Sequence, residues 1–351
     1  MQIVYLSDRP QILQETWDHV RHFMPWIERA VVVTPARRAE QFRSDDRVHL
    51  AFDEELTGLT SARLRDLDHV RRNVTLRKAL LETEIVDDLF VLSDDDYRPI
   101  RPISPEFFHA DGIDIGYYSY DLGHWPGDET DFDHAQHVTR EALSYLGYPT
   151  LGYGAHMPQL MRREWWTEAF GEFHTVTDDV LVCEWALYFN VAAVRHPDRL
   201  APARPFETMC WPQFGAEWPW WVRPARYSFE NFYPELYEPE ALFAGLPRRL
   251  DPAQAAKDNF EKILRWTRFA RGARRLDFPS TVDNPWTSPS AGRAAAFGLL
   301  RKARGAYRYL AAEDRALLTE LAGRVEALGR TERSRAESVS RQRTSEPSAD
   351  E

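Results

Sequence analysis

The chain has 351 residues, of which 43% are hydrophobic and 13% aromatic, so it can bury a large core and lacks the composition of a disordered or fibrous protein. Its formal net charge of −11 argues against a protein that binds nucleic acid through a basic surface. Two cysteines, Cys183 and Cys210, are too few for a disulfide framework, and we therefore expect a cytoplasmic protein.

The first hundred residues alternate segments typical of strands with segments typical of helices. Short apolar runs predict buried strands, and apolar residues spaced three and four apart predict helices. This alternation is the pattern of an α/β sheet covered by helices. The predicted strands are Gln2–Leu6, Arg29–Thr34, Val48–Phe52 and Asp88–Ser93, and the predicted helices are Ile12–Met24 and Leu64–Leu81.

Later segments predict one more strand, four helices and an aromatic tract. The strand is Gly112–Tyr120, and the helices are Asp133–Leu146, Thr177–Val191, Asp251–Ala270 and Ser290–Leu328. The tract from Ala201 to Pro239 predicts irregular, packed structure; its candidates for sugar contact are Trp211, Trp218, Trp220 and Trp221. We therefore expect an α/β domain over residues 1–240, a helical C-terminal region over 241–329 and a disordered tail over 330–351.

The clearest candidate site is a run of three aspartates at the end of the fourth predicted strand. Ligand sites of open α/β sheets lie outside the carboxyl ends of the strands. In an extended chain Asp94 and Asp96 share one face, and Asp95 takes the other. Two carboxylates on one face suit Mg²⁺ or Mn²⁺, which also bind diphosphate oxygens. A solvated acidic turn is the alternative, but three adjacent like charges are costly to hold together without a cation.

The aspartates after an apolar strand resemble the aspartate-x-aspartate motif of GT-A glycosyltransferases. The resemblance implies a Rossmann-like mixed sheet flanked by helices. It also implies that Asp94 and Asp96 hold Mn²⁺ or Mg²⁺ on the diphosphate of a nucleotide sugar, with Asp95 close to that cofactor. The implied reaction is metal-dependent transfer of a sugar to a glycan or lipid-linked acceptor in polysaccharide synthesis.

The predicted helix before the triplet has a polar face that carries Asp68, Arg72 and Asn73. It resembles the helix that contacts the nucleotide in GT-A enzymes, which makes these three residues candidates for nucleotide binding. A solvent-facing surface with salt bridges explains the same pattern.

A histidine among glycines provides another candidate, in the segment Leu151–Arg163. Gly152 and Gly154 permit close backbone approach to a ligand, so His156 is a candidate for binding the metal, the sugar or its phosphate. A packed histidine is the structural alternative. Together with the acidic triplet, His156 and Pro158 resemble a motif of the Stealth sugar-1-phosphate transferases, which implies transfer of a sugar phosphate in capsule or cell-wall synthesis as the alternative reaction.

Two further carboxylates, Asp178 and Asp179, stand at the start of a predicted helix. Exposed amides at a helix N-terminus favour carboxylates, so capping explains them without catalysis. They also resemble the carboxylate pair with which inverting GT-A enzymes deprotonate the acceptor. That resemblance makes Asp179 the candidate general base and Asp178 its neighbour.

The helix predicted from Ser290 is basic and amphipathic, and such a helix binds either an anionic membrane surface or the catalytic domain. Docking on the domain is favoured because the helix continues into Glu313 and Asp314. No run of about twenty apolar residues predicts a membrane span, and the opening residues lack a secretion signal. We expect any membrane contact to be peripheral, at the inner face.

A glycan-binding protein that catalyses no reaction is the alternative from another functional class.

Overall fold

The computed structural model describes residues 1–125, 127, 130–173, 181–210, 222 and 224–273. Several predictions lie outside these residues: Asp178 and Asp179, the four candidate tryptophans, the helix Ser290–Leu328 and the tail 330–351. Within the described ranges, no helix has the length and apolar composition required to cross a membrane. Neither Cys183 nor Cys210 forms a disulfide.

In the described ranges, most of the helices lie in the first two hundred residues, and the strands vary from two to six residues. The helices are α1 (Pro10–Phe23), α2 (Asp53–Thr57), α3 (Ser61–Asp66), α4 (His69–Leu81), α5 (Asp131–Tyr145), α6 (Arg163–Glu172), α7 (Glu184–Arg195) and α8 (Ala255–Ala273). The strands are β1 (Gln2–Leu6), β2 (Arg29–Thr34), β3 (Val48–Phe52), β4 (Leu89–Asp94), β5 (Tyr97–Pro99), β6 (His109–Ala110), β7 (Ile113–Asp114), β8 (Tyr117–Tyr118), β9 (Tyr120–Asp121), β10 (Leu151–Gly152), β11 (Gln159–Arg162), β12 (Arg204–Pro205), β13 (Thr208–Met209) and β14 (Phe229–Asn231).

Five of the described strands form the central sheet, in the order β11-β4-β1-β2-β3. Strands β1 to β4 are parallel, and β11 is antiparallel to β4. The sequence of β2 suits a parallel strand covered by helices, because the run Ala30–Val33 is fully apolar and buried on both faces. The predicted α/β fold, a mixed sheet flanked by helices, is confirmed.

The order of the parallel strands reverses beside β1. From β1 the chain proceeds outward through β2 and β3, and it then returns to β4 on the other side of β1. The loops that follow β1 and β4 therefore diverge, and a crevice opens between the carboxyl ends of these strands. Leu6 is level with Asp94, so the loop after β1 lies beside the acidic triplet.

A smaller sheet, β13-β14-β5, includes the strand β5 that directly follows the triplet. Helix α8 packs near this sheet through Trp266, which shares a buried cluster with Ile100, Met209 and Phe243. The Asn259 side chain of α8 also donates a hydrogen bond of 2.8 Å to the Ile100 carbonyl. The helix thus stabilises the segment directly after β5.

Four predicted elements differ from the observed ones. The helix predicted over 177–191 begins at Glu184, with Leu181 to Cys183 outside it, and it continues to Arg195. The single helix predicted over 64–81 is two helices, because Leu67 is extended and the Asp68 carboxylate caps α4 by accepting from the Arg71 amide at 2.8 Å. The strand predicted over 112–120 is divided among β7, β8 and β9, each with a different partner. The helix predicted over 251–270 begins at Ala255 and ends at Ala273.

We expect the Gly152→Ala change to destabilise the fold, because a Cβ there would lie 2.6 Å from the ring of Tyr120. The ring cannot yield easily: Tyr120 is buried, and its hydroxyl donates to Gln136 at 3.0 Å. Urea unfolding should show a loss of about 1–3 kcal/mol. The matched control is Gly154→Ala, where nothing lies within 4 Å of the added carbon. Equal stability of the two variants would contradict the packing described for Gly152.

Candidate active site

The acidic triplet lies where β4 ends and the chain turns into β5. Asp94 is the last residue of the strand, and Asp95 and Asp96 form the turn. The turn is required because β5 pairs with β14 and not with the central sheet. The alternation of faces predicted for an extended chain therefore stops at Asp94.

The three carboxylates differ in their exposure. The exposed fraction is 36% for the Asp94 side chain, 13% for Asp96 and 3% for Asp95. Asp94 is thus the most accessible to a ligand. The side chain of Asp95, which was predicted to lie close to the cofactor, is buried. It does not line the cavity that lies next to Asp94.

The loop after β1 holds the acidic turn through Ser7 and Arg9. The Ser7 hydroxyl donates to Asp95 Oδ2 at 2.5 Å, and Arg9 Nε donates to the same oxygen at 3.1 Å. Arg9 Nη2 bridges Asp95 Oδ1 and Asp96 Oδ2, the second contact being 2.9 Å. Ser7 also accepts a hydrogen bond of 3.1 Å from the Arg9 amide, so the loop and the turn form one connected unit.

A second arginine, Arg77 on α4, holds the remaining aspartate. Its Nη2 lies 3.1 Å from Asp94 Oδ1, and its Nη1 forms an ion pair with Glu184 at the start of α7. Arg77 and Glu184 are both buried. Because a buried charge is stable only when paired, this arrangement fixes the side of Asp94 that faces α4.

The described charges leave an excess of negative charge at the turn. Asp94, Asp95, Asp96 and Glu184 contribute carboxylates, whereas only Arg9 and Arg77 contribute cationic contacts in the described ion pairs. Burial, followed by the charge of Asp95, raises the pKa of Asp96 to about 7, and burial raises the pKa of Asp95. Additional positive charge would therefore stabilise this turn.

The donors present fit a divalent metal ion. Within the described residues no group of three or more His, Cys, Asp or Glu side chains is placed to hold a metal. Mg²⁺ and similar hard ions, however, commonly bind through one or two carboxylates and complete their coordination with water and substrate phosphate. Asp94, which is 36% exposed, and Asp96, which is 13% exposed, are carboxylates of this kind.

A cavity of about 140 Å³ adjoins Asp94. Its walls combine polar side chains with aromatic rings, the composition of sites that bind small polar ligands with apolar faces. The polar lining includes His69, Asn73, Arg77, Gln136, His156 and Glu184, and the aromatic lining comprises Tyr97, Tyr120, Trp125, Phe132, Tyr153 and Trp185.

His156 lies in this same cavity, in a left-handed backbone conformation with φ of 51°. Its Nδ1 is 3.2 Å from the hydroxyl of Tyr97, the residue directly after the acidic turn. Burial lowers the pKa of His156 to about 4, so the imidazole is neutral at neutral pH. A neutral imidazole can bind a metal or a sugar hydroxyl.

Comparison with known proteins gives matches among solved structures only. No protein-family model and no curated protein sequence matches the chain. Three of the matching structures are of glycosyltransferases. Two structures of galactosyltransferase LgtC, one with donor and acceptor sugar analogues and one of an active-site mutant, have a TM-score of 0.40 and 14% identity, with 82% of this chain and 99% of theirs covered. Mouse xyloside xylosyltransferase 1 in its apo form has a TM-score of 0.33 and 9% identity, with 67% and 97% covered.

The three candidates on α4 differ in their positions relative to the cavity. Asn73 lines it and lies 3.2 Å from His69, whereas Asp68 is the cap of the helix. Arg72 is partly buried and does not line the cavity. Burial lowers the pKa of His69, and the positive charge of Arg72 lowers it further. The structure therefore brings together Asp94, Asn73 and His156.

Sequence reasoning missed Ser7, Arg9 and Glu184 as residues of the site. Ser7 and Arg9 had a usable signal, because they follow β1 as the triplet follows β4. The rule that ligand sites lie at the carboxyl ends of strands applies to both loops. Glu184 had no such signal, since its role depends on Arg77 of a distant helix.

Proposed function

We propose that the protein is a metal-dependent glycosyltransferase that moves a sugar from a nucleotide-diphosphate donor to a glycan or lipid-linked acceptor. The observation that carries the proposal is the position of the acidic turn. It lies at the crevice where the strand order reverses, and Asp94 opens from it into a cavity with aromatic and polar walls. Open α/β sheets bind nucleotides at such a crevice.

In this proposal Asp94 and Asp96 hold Mn²⁺ or Mg²⁺. The ion, when bound, supplies positive charge to the nucleoside diphosphate as it leaves. Ser7 and Arg9 hold the turn through their hydrogen bonds to Asp95 and Asp96, and Arg77 orients Asp94. Asn73 on α4 lines the cavity and is the first candidate for nucleotide contact, with Arg72 beside it on the same helix and Asp68 at its N-terminus.

The cavity beyond Asp94 holds the transferred sugar. Rings such as Trp125 and Trp185 can stack on the apolar face of a sugar, and Gln136 and neutral His156 can hydrogen-bond its hydroxyls. Asp179, with Asp178 beside it, is proposed as the acceptor base if the reaction inverts configuration. We further propose the domain division at residues 240 and 329 and a cytoplasmic location with peripheral membrane contact.

The decisive experiment is a thermal-shift screen of nucleotide sugars with and without Mn²⁺, followed by product analysis. A donor that binds the folded protein raises its unfolding temperature, and we expect this rise to require Mn²⁺. Glycosyl transfer releases a nucleoside diphosphate. Release of a nucleoside monophosphate would instead identify sugar-phosphate transfer, and glycan affinity that survives both chelator and the double change Asp94→Ala, Asp96→Ala would identify a binding protein.

A further inference from the structure

We propose that Arg9 competes with the divalent ion for Asp96. Its guanidinium bridges Asp95 and Asp96, and binding of the ion would release the Asp96 contact so that the guanidinium faces the donor diphosphate. This inference rests on the proposed function and adds an order of binding, in which the metal ion binds before the donor. The ion-free protein would bind the metal weakly, and metal and donor would bind with positive coupling.

The geometry of the bridge supports competition at Asp96 in particular. Arg9 Nη2 contacts both carboxylates, but the contacts to Asp95 include a second nitrogen, Nε, at 3.1 Å. Asp95 also receives the Ser7 hydroxyl at 2.5 Å. Loss of the single Arg9 contact at Asp96 therefore leaves Asp95 held from two directions, and the turn keeps its shape.

The exposure of the two partners supports release. The Arg9 side chain is 49% exposed, whereas Asp96 is 13% exposed. A divalent ion that reaches Asp96 gains a doubly charged attraction, while the guanidinium loses a contact that is already partly screened by water. The ion is therefore the stronger partner when it is present.

The position of Arg9 supports its second role. It directly precedes α1 and lies beside the crevice at the ends of β1 and β4. A guanidinium carries five N–H donors in a planar fork, so it can keep its edge on Asp95 while another edge faces a phosphate. Pro10 at the start of α1 restricts the backbone conformation of Arg9.

The test measures binding of Mn²⁺ alone and then of UDP, GDP and ADP at saturating Mn²⁺, by titration calorimetry on the full chain. Relative to the unchanged protein, we expect Arg9→Gln to bind Mn²⁺ about tenfold more tightly and the preferred nucleoside diphosphate about tenfold more weakly. Arg9→Lys keeps the charge but lacks the fork, so its Mn²⁺ affinity should increase about threefold.

The matched control is Arg29→Gln, which removes the same charge from an exposed ion pair with Asp87 at 2.7 Å. It should change neither affinity. Unchanged or weaker Mn²⁺ binding in Arg9→Gln would show that Arg9 only clamps the turn, and would overturn the inference. If that variant fails to fold, Arg9→Lys decides, and an Mn²⁺ affinity no tighter than that of the unchanged protein overturns it.

The same titrations separate this inference from the proposed function. Mn²⁺ binding that is insensitive to Arg9 overturns the competition alone. If neither the unchanged protein nor the Arg9 variants bind Mn²⁺, the metal-dependent function and the inference both fail. Binding of Mn²⁺ by Arg9→Gln but not by the unchanged protein would be the strongest support for competition.

Discussion

The Asp94→Asn change is expected to lower the rate of sugar transfer by about 100- to 1000-fold at saturating Mn²⁺ and donor. Asparagine has nearly the same size and keeps one oxygen, so Arg77 can still donate to it. What the change removes is a negative charge from the most exposed carboxylate of the triplet. The measurement is the initial rate of product formation, together with the Mn²⁺ dissociation constant.

The control for this prediction is Asp87→Asn, at an exposed position before β4 where the carboxylate pairs with Arg29 on the surface. It should retain the full rate. Both variants should unfold at nearly the same temperature as the unchanged protein, because neither residue is fully buried. Retention of more than about a tenth of the rate by Asp94→Asn would remove the support for Asp94 as a metal ligand.

The second large effect is structural: Glu230→Gln is expected to lower the free energy of unfolding by about 3–5 kcal/mol. Glu230 is buried between two cations, Arg98 and Lys262, which are themselves almost inaccessible to solvent. Lys262 Nζ lies 3.3 Å from Glu230 Oε1, and the Tyr237 hydroxyl donates to Glu230 Oε2 at 2.9 Å. Neutralising Glu230 leaves Arg98 with only the longer ion pair to Glu15, at 3.9 Å, and removes the carboxylate that pairs with the buried Lys262.

This effect should depend on pH. Burial alone would raise the pKa of Glu230, but the charges of Arg98 and Lys262 outweigh it and lower the pKa from 4.5 to about 2. The stabilisation by the carboxylate is therefore complete above about pH 4.5 and is lost as the pH falls towards 2. The difference between the unchanged protein and Glu230→Gln should shrink over that interval in urea unfolding.

Glu261→Gln is the matched control, since Glu261 forms a partly exposed pair with Arg265 on the same helix as Lys262. Its expected cost at pH 7 is below about 0.5 kcal/mol. If Glu230→Gln costs no more than this control, the buried network does not stabilise the fold.

The sequence predicted the four parallel strands of the central sheet because their signals are local, but it did not predict the antiparallel strand β11. The run Ala30–Val33 is continuous and apolar, and the predicted and observed bounds of β1, β2 and β3 agree. The position of the triplet followed from the end of β4 and from the rule for carboxyl ends. These inferences require only the order of residues along one segment.

The remainder of the site depends on partners that are distant in the chain. Arg77 can be buried because it forms an ion pair with Glu184. The spacing of residues in neither segment predicts that pair. The break before α4 was decided by the Asp68 cap, which competes with the helical spacing on both sides. The short strands β7 to β9 pair with β6, β12 and β10, so their bounds follow from tertiary contacts rather than from local pattern.

The separation of Arg98 and Glu230 along the chain also has a consequence for synthesis on the ribosome. The two residues are 132 positions apart, so Arg98 emerges long before its anion exists. At roughly 5–20 residues per second, the nascent chain waits on the order of ten seconds or more before β14 can pair with β5. The strand that leads away from the acidic turn therefore pairs late, and the first half of the protein emerges before the sheet next to the candidate site is complete.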